Sequence, residues 1–404
     1  MADYLIMAKK IYLDYAGTTP MDPLVERIVL KHLRESWGNA SSVHEVGRQA
    51  RQVIEDSRRC VAKVIGSKPE EIIFTGSGTE SDNLAIFGMA RAYKKFGRHI
   101  ITSKIEHPAV LRACEYLQKY EGFKITYLNV DKNGVISPEA VKKSLRSDTT
   151  LVSITYANNE IGTIQPVAEI AKILKQFRQR KLQTTNYKLP TSEKLPVFHS
   201  DACQAAGALN LNANQIGVDL MTLNGSKISG PKATGCLYAR RGINLVPLLV
   251  GGSQERGMRA GTENPALIAG FAKALELADV SKAKESMRLM ELRNCAIEKI
   301  IKTVPGSWLN GDSIKRLPNN INISFESVDG EMLMIMLDQK GIQVSTGSAC
   351  TSTSTEPSHV IRALGLPDEL AKGNIRVTLG RQTTKKDIDY LLAILPNLVK
   401  KLRK

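Results

Sequence analysis

One cysteine of this 404-residue chain lies among small hydroxylated residues, in the stretch STGSACTSTSTEPS at positions 345–358. No large apolar side chain occurs from Ser345 to Thr355, and runs of Ser, Thr and Gly are typical of surface loops. A free cysteine more often packs as a small buried hydrophobe. The stretch therefore indicates either an incidental surface thiol or a reactive thiol, Cys350, carried on a loop.

One predicted strand is followed by a lysine in a turn, and another ends at an aspartate. The segment LMTLNGSKISGPKATG at 220–235 predicts an apolar strand followed by a turn that holds Lys227. An amine in that place could form a Schiff base with an electrophilic carbonyl, and the nearby Lys232 is the alternative. The segment FHSDACQ predicts a strand that ends at Asp201, with Gln204 three residues later. If a helix begins there, these two side chains point the same way.

Three further strand ends could bind an anion or an aromatic ring. The segment FTGSGTES at 74–81 predicts a strand, a Gly-rich turn and a helix start, where the N–H groups of Gly78 and Thr79 would face an anion. It is not a P-loop, because the GK[ST] ending is missing. IEHPAV places His107 just after a strand, and YANNEIG ends a strand with paired amides, one of them Asn159. A packing histidine and turn-building amides are the structural alternatives.

Together these groups are the parts that one cofactor, pyridoxal 5′-phosphate, requires: a phosphate cradle, an aromatic ring, an acid, an amide and a lysine. The acid keeps the pyridine nitrogen protonated, which makes the ring an electron sink. Open α/β sheets bind ligands at the carboxyl ends of their strands, and these groups all follow predicted strands. The residues themselves therefore predict a pyridoxal phosphate site.

The elements that must position these groups follow a regular order. Apolar β-rich runs alternate with helical patterns, which predicts an α/β fold with a parallel sheet covered on both faces. A long helical stretch, about 265–303, precedes a smaller unit that ends in a helix from about Lys385. We predict a large α/β domain at 16–262 and a smaller α+β domain formed by 1–15 and 263–404.

The composition excludes several classes of protein. The formal net charge is +16, but the Lys and Arg residues are dispersed and aromatics are only 5%, so an acidic partner or anionic cofactor is favoured over nucleic acid. The six cysteines form no CxxC pair, which predicts neither a disulfide framework nor a metal site. No apolar run of about 18 residues or signal peptide occurs, so a cytoplasmic location without membrane contact is expected. The polar stretch 177–196 is interpreted as a surface insertion.

The motifs GSGTES, EHPAV, NNEIG, DACQ, GSK, RAGTEN, GSAC and NIRVTLGR occur in this order along the chain. In this order they resemble the NifS/IscS-like cysteine desulfurases, in the class V branch of the fold-type I pyridoxal phosphate enzymes. The resemblance runs from about Ile11 to Val399. It implies a transferase fold whose large domain contains a mainly parallel seven-stranded sheet, with a smaller C-terminal α+β domain.

The resemblance also implies roles for single residues. The implied catalytic residues are Cys350, Lys227 and His107. The implied cofactor-binding residues are Lys227, Gly78, Thr79, His107, Asn159, Asp201, Gln204, Ser226 and Thr262. The implied substrate-binding residues are Arg376, Asn39 and Asn159. Because Thr262 resembles a threonine that reaches the phosphate of the partner subunit, a homodimer is implied.

The activity implied is removal of sulfur from L-cysteine, giving L-alanine and a persulfide on Cys350. The sulfur would pass to an acceptor such as an iron–sulfur scaffold protein, or to tRNA thiolation. Selenocysteine lyase is the alternative activity, and a degenerate binding partner in sulfur trafficking is a third reading. The chain departs from the family pattern at Ser226, where a histidine is usual, and at Asn224, where a small hydroxylated residue is usual.

Overall fold

The computed structural model describes residues 10–184, 195–347 and 357–403. Cys350 and much of the polar stretch 177–196 lie outside the described residues. The strands are, in chain order, β1 (Ile11–Tyr12), β2 (Ile72–Thr75), β3 (His99–Ser103), β4 (Lys124–Leu128), β5 (Thr149–Ser153), β6 (Val197–Asp201), β7 (Leu220–Asn224), β8 (Gly235–Ala239), β9 (Ser307–Leu309), β10 (Asn320–Phe325), β11 (Ile342–Gln343) and β12 (Asn374–Thr378).

The α-helices are α1 (Pro23–Glu35), α2 (Glu45–Ile65), α3 (Gly78–Asn83), α4 (Met89–Tyr93), α5 (Pro108–Tyr120), α6 (Pro138–Ser144), α7 (Val167–Thr184), α8 (Ala213–Ile216), α9 (Pro265–Thr303), α10 (Gly330–Gln339), α11 (His359–Ala363), α12 (Asp368–Lys372) and α13 (Lys385–Leu402). A π-helical segment, Leu84–Gly88, joins α3 to α4. Short 3₁₀ turns occur at Pro69–Glu71, Gly225–Lys227 and Gln254–Gly257.

The large sheet has seven strands in the order β2-β8-β7-β6-β5-β3-β4. Only β8 runs antiparallel to its neighbours β2 and β7, so the predicted mainly parallel sheet is confirmed. Ile100 and Leu151 belong to one apolar cluster, whereas the next residues, Ile101 and Val152, belong to another. Because successive strand residues point to opposite faces, helices cover both faces of the sheet.

A smaller unit is built on the three-stranded antiparallel sheet β9-β10-β12. A separate apolar cluster packs this sheet against α10, α13 and the C-terminal half of α9. The pair β1–β11 is parallel, and Ile11 and Leu13 join this second cluster. These contacts agree with the expected smaller C-terminal α+β unit, while the boundary between 16–262 and 263–404 stays a prediction.

Three further observations concern the described ranges. No helix there combines the length and the apolar character needed to cross a bilayer. The same residues contain no group of three or more His, Cys, Asp or Glu side chains placed to hold a metal ion. The segment after Asp201, residues 202–208, forms successive turns instead of the helix considered above.

Candidate active site

A cavity of about 290 Å³ lies at the carboxyl ends of the parallel strands. Its wall includes side chains that follow β2, β3, β5, β6 and β7, which are the places where an open α/β sheet binds ligands. Eight of the residues predicted from the sequence line it: Gly78, Thr79, His107, Asn159, Asp201, Gln204, Lys227 and Arg376. The fold therefore brings together groups that are about 300 residues apart in the chain.

Lys227 is held at the cavity by the 3₁₀ turn that follows β7. The Asn224 side-chain oxygen accepts the Ser226 N–H at 2.9 Å and so caps this turn. The Lys227 amine donates to the carbonyl oxygens of Ala16, at 3.0 Å, and of Gly17, at 2.5 Å. Lys232 contacts the Thr19 carbonyl instead and does not line the cavity. Of the two lysines that the sequence offers, Lys227 is therefore the one placed for chemistry.

Asp201 ends β6 and faces the cavity. Its Oδ1 accepts the Cys203 N–H at 2.9 Å, which fixes the carboxylate. Asp82 on α3 is buried nearby, and burial together with the Asp201 charge raises the pKa of Asp82 well above its usual range. His199 Nε2 lies 3.6 Å from Asp82 Oδ1, but burial lowers the pKa of His199 to about 4, so this contact is not an ion pair near neutral pH. Asp82 is thus a buried acid whose ionised form is disfavoured by burial and by the neighbouring Asp201 charge.

His107 is the N-cap of α5. Its Nδ1 accepts the Ala109 N–H at 3.1 Å, and Pro108 follows at the first helical position. Burial lowers the pKa of His107; the Asp201 charge opposes this shift, and the Lys227 charge adds to it. The ring is therefore neutral near neutral pH, and because Nδ1 is an acceptor, its proton is on Nε2.

Arg376 lies on β12 and is only 2% exposed. Its Nη2 donates to Asp14 Oδ1 at 2.8 Å and its Nη1 donates to the Asn159 carbonyl at 3.3 Å. The buried Nε atom has no hydrogen-bond partner in the described part of the chain. A buried guanidinium with an unused donor at a cavity wall is suited to bind a carboxylate.

The predicted phosphate cradle begins α3. Ser77 caps this helix, since its hydroxyl accepts the Glu80 N–H at 3.1 Å. A Cβ added to Gly78 would lie 2.8 Å from Cys203 Sγ, so the close approach of these two segments requires glycine. The Ser226 hydroxyl donates to Asn224 Oδ1 at 3.0 Å and does not line the cavity. Its predicted phosphate contact stays a prediction.

Three other predicted residues lie away from the cavity or outside the described residues. Asn39 is exposed in a turn, where its Oδ1 accepts the Ser41 N–H at 2.9 Å. Thr262 is exposed and lines a separate cavity of about 260 Å³. Cys350 is not described, but Gly347, three residues before it, lines the cavity of Lys227.

The cavity also contains residues that the sequence reasoning did not select. They are Asp82, Thr155, Glu160, Cys203, Asn224 and His359. The helical spacing from Thr79 to Asp82 is a signal for one shared face, which could have identified Asp82. Glu160 directly follows the paired amides of NNEIG, but nothing local distinguishes a buried glutamate there from an exposed one.

Comparison with known proteins agrees with this geometry. The family described as Aminotransferase class-V matches residues 11–184 and 189–391. The chain belongs to this family. A "Cysteine desulfurase IscS" of Dictyoglomus turgidum is 49% identical over 397 residues, covering 98% of this chain and 96% of the relative. One of Methanosarcina thermophila is 44% identical over 395 residues, covering 98% and 93%.

Solved structures show the same fold. A structure titled "NIFS-LIKE PROTEIN" has a TM-score of 0.87 and 34% identity, and the match covers 97% of this chain and 100% of that chain. DndA from Streptomyces lividans has a TM-score of 0.73 and 36% identity, with coverage of 91% and 99%. The predicted family and the predicted fold class are therefore confirmed.

The cofactor of this family member is pyridoxal 5′-phosphate, and the residues present fit it. The cavity offers an amine at Lys227, an imidazole at His107 and a carboxylate at Asp201, which are the groups that the aldehyde, the ring face and the ring nitrogen need. Gly78, at the start of α3, lines the cavity, and because it has no Cβ, its backbone forms part of the cavity wall. The orphaned Arg376 Nε is available to a substrate anion beside the cofactor.

Proposed function

We propose that this protein is a cysteine desulfurase, which moves the sulfur of L-cysteine to Cys350 and releases L-alanine. The observation that carries this proposal is the cavity where Lys227, Asp201 and Arg376 meet Gly347, the last described residue before the Cys350 segment. Relatives named cysteine desulfurase are 41% to 49% identical over nearly the whole chain, which supports the same activity here.

The chain's own residues divide the work of the first steps. Arg376 binds the substrate carboxylate, which orients the Cα–H bond of L-cysteine in the cavity. Pyridoxal phosphate, when bound, supplies an aldehyde that bonds to amines and a ring that accepts electrons. Asp201 would pair with the charged ring nitrogen of the bound cofactor, and the Lys227 amine removes the Cα proton. The His107 Nε2–H donates a hydrogen bond at the substrate side of the cavity, where it stabilises the charge that develops during the reaction.

The sulfur step is balanced without a further reagent. The Cys350 thiolate attacks the substrate sulfur, the carbon–sulfur bond of L-cysteine breaks, and a sulfur–sulfur bond forms on Cys350. The electron pair of the broken bond stays with carbon, which takes up a proton and leaves as alanine. One sulfur and one alanine are formed for each L-cysteine consumed.

The cysteines in the described part of the chain are poorly suited to this nucleophilic role. Burial raises the pKa of the thiols of Cys60, Cys114, Cys203 and Cys236, which keeps them protonated near neutral pH. Cys295 lies on α9 and is not part of the cavity wall. This elimination supports Cys350 as the sulfur acceptor.

We also propose a homodimer in which Thr262 serves the phosphate of the partner's site. Thr262 is exposed and does not line the cavity of its own chain, which is compatible with such a role. The contribution of Ser226 to the phosphate and of Asn39 to the substrate belongs to the same proposal. The division into a domain of 16–262 and one of 1–15 with 263–404 is supported by the separate apolar clusters.

The persulfide passes to an acceptor protein, for which an iron–sulfur scaffold or a tRNA-thiolation protein is proposed, in the cytoplasm. The net charge of +16 supports an acidic acceptor, because opposite charges steer association. Alanine formation from L-cysteine by the protein loaded with pyridoxal phosphate tests the activity. Turnover of L-selenocysteine without turnover of L-cysteine would reject it in favour of selenocysteine lyase.

Replacing His107 by asparagine is expected to lower kcat by about 10²- to 10³-fold, the usual effect of removing one hydrogen-bond donor from developing charge. Asparagine still caps α5 through its side-chain oxygen, so the thermal unfolding midpoint should change little. In the wild type, burial lowers the pKa of His107, so activity that needs the neutral ring should fall only as the pH drops below the ordinary histidine range. Alanine formation across pH measures both effects.

The matched control is His44→Asn. His44 caps α2 in the same manner, since its Nδ1 accepts the Gly47 N–H at 3.2 Å, but it does not line the cavity. The control should keep wild-type kcat. Equal losses in both variants would mean that capping, and not the imidazole, carries the effect.

Replacing Arg376 by lysine is expected to raise KM for L-cysteine by about 10- to 100-fold, with a smaller change in kcat, because one ammonium cannot reproduce bidentate binding. Arg293→Lys makes the same replacement at a buried arginine of α9 that donates to the Leu317 carbonyl. Steady-state kinetics of both variants measure the difference. An unchanged KM in the Arg376 variant would remove this residue from substrate binding.

A further inference from the structure

Glu160 is a buried acid of the cavity wall to which the steps above give no role. It is 3% exposed and lines the same cavity as Lys227 and Arg376. Its backbone is held on both sides: its N–H donates to Asn158 Oδ1 at 2.9 Å, and its carbonyl accepts from Asn320 and Asn322 of β10 at 2.9 and 3.0 Å. The Glu160 backbone is therefore fixed relative to β10 of the small sheet.

One oxygen of this carboxyl group contacts two separate parts of the chain. The Ser358 hydroxyl donates to Glu160 Oε2 at 2.5 Å. A Cβ added to Gly347 would lie 2.3 Å from the same oxygen, so the Gly347 backbone packs directly against it. The Gly347 N–H donates in turn to Asn374 Oδ1 at 3.1 Å. Oε2 is thus the point where these two residues meet.

The two residues have a particular place in the sequence. Gly347 directly precedes the segment 348–356, which contains Cys350, and Ser358 follows that segment by two positions. A further contact on the Ser358 side joins His359 Nε2 to the Glu106 carbonyl oxygen at 2.9 Å. Gly347 and His359 both line the cavity. The described chain therefore meets the cavity wall on both sides of the Cys350 segment, with Glu160 between.

The charge environment argues against a role for Glu160 in binding the substrate carboxylate. Burial raises the pKa of Glu160 to about 7, while the Ser358 hydrogen bond and the Arg376 charge oppose this shift. A second carboxylate beside Arg376 would compete with the substrate anion for the guanidinium. The contacts that Glu160 makes run instead toward the chain on either side of Cys350.

We propose that Glu160 is a positioning residue for sulfur transfer, which holds the chain at Gly347 and Ser358 so that Cys350 is presented to the substrate sulfur. This proposal rests on the proposed desulfurase function. Glu160 acts through the chain that carries the nucleophile and is not itself a proton carrier. Its removal should therefore affect the sulfur step and leave cofactor and substrate binding in place.

The test compares Glu160→Ala, Glu160→Gln and Ser358→Ala in the full-length protein loaded with pyridoxal phosphate. We expect Glu160→Ala and Ser358→Ala to lower kcat by about 10- to 100-fold, the usual effect of losing a hydrogen bond to a charged group, with KM and cofactor absorbance unchanged. Glu160→Gln keeps an acceptor for the Ser358 hydroxyl and should recover most of the activity. Ser57→Ala, which removes a buried helix hydroxyl bond to the Val53 carbonyl, is the control.

A second readout does not depend on turnover. The rate at which iodoacetamide alkylates Cys350, located by mass spectrometry, should rise several-fold in Glu160→Ala and in Ser358→Ala, and should stay at the wild-type value in Ser57→Ala. Wild-type alkylation rates and kcat in Ser358→Ala would overturn the proposal, even if Glu160→Ala fails to fold. A raised KM with unchanged kcat would also overturn it. Absence of alanine formation by the wild type would reject the desulfurase function, whereas the alkylation rates would then show only whether Glu160 and Ser358 restrain the Cys350 segment.

Discussion

A Lys227→Ala protein is expected to lose cysteine desulfurase activity by more than about 10⁴-fold, because one amine both bonds to the cofactor and moves the Cα proton. The amine lies at the cavity, held by the Ala16 and Gly17 carbonyl oxygens. In the wild type, borohydride reduction should leave the cofactor covalently attached to the peptide that contains Lys227. In Lys227→Ala this covalent attachment should be absent. Alanine formation measures the loss of activity, and mass spectrometry of the reduced protein measures the loss of attachment.

Lys232→Ala is the matched control for this experiment. Lys232 lies five residues after Lys227 and does not line the cavity, and its amine donates to the Thr19 carbonyl at 3.0 Å. It should keep both the covalent cofactor and the activity. Attachment of the cofactor to Lys232, or full activity without Lys227, would contradict the assignment of the cavity.

A Cys350→Ser protein is expected to lose alanine formation by more than about 10³-fold, because a serine oxygen cannot replace the thiolate as a sulfur acceptor. The cofactor absorbance and its response to added L-cysteine should remain, since Lys227, Asp201 and Arg376 are unchanged. This pattern separates the Cys350 variant from the Lys227 variant, in which the covalent cofactor is lost. Steady-state alanine formation and visible absorbance measure the two properties.

Cys295→Ser is the control for the thiol replacement, since Cys295 is half-buried on α9 away from the cavity. It should behave like the wild type. Wild-type alanine formation by Cys350→Ser would show that the sulfur leaves the substrate without Cys350, and the proposed transfer step would be wrong.

The sequence predicted the large sheet and the position of its ligand site because both depend on local patterns. The segments FTGSGTES, IEHPAV, YANNEIG, FHSDACQ and LMTLNGS each contain or directly follow a strand, and the residues after these strands meet in one cavity. Parallel strands place their carboxyl ends at one edge, so strand order alone collects Gly78, His107, Asp201 and Lys227. Arg376, more than 100 residues later, was identified through the resemblance, since nothing in NIRVTLGR itself indicates the cavity.

The sequence did not predict the features that depend on tertiary contacts. Glu160 looks like an ordinary loop acid, and Asp82 shares a helix face with Thr79 without a local sign of its burial; only the packing of several elements makes both buried. The antiparallel direction of β8 also has no local signal, because GCLYA would form a strand in either direction. The close approach of Gly78 to Cys203 joins two strand ends that are 125 residues apart, which no periodicity reports.

The departures from the family pattern acquire a structural explanation at Asn224. Its side-chain oxygen accepts hydrogen bonds from the N–H and hydroxyl of Ser226, which fixes the turn that carries Lys227. Asn224 also lines the cavity, whereas Ser226 does not. The pair therefore holds the turn of Lys227 in place by local hydrogen bonds, without a histidine at position 226.

The measurement that tests the account most directly is mass spectrometry of the wild-type protein after incubation with L-cysteine, with thiols and persulfides trapped by alkylation and alanine measured in parallel. We predict one additional sulfur atom on the peptide that contains Cys350, and one alanine for each sulfur transferred in a single turnover. Alanine without sulfur on Cys350, or sulfur on another cysteine of the chain, would contradict the proposed desulfurase mechanism.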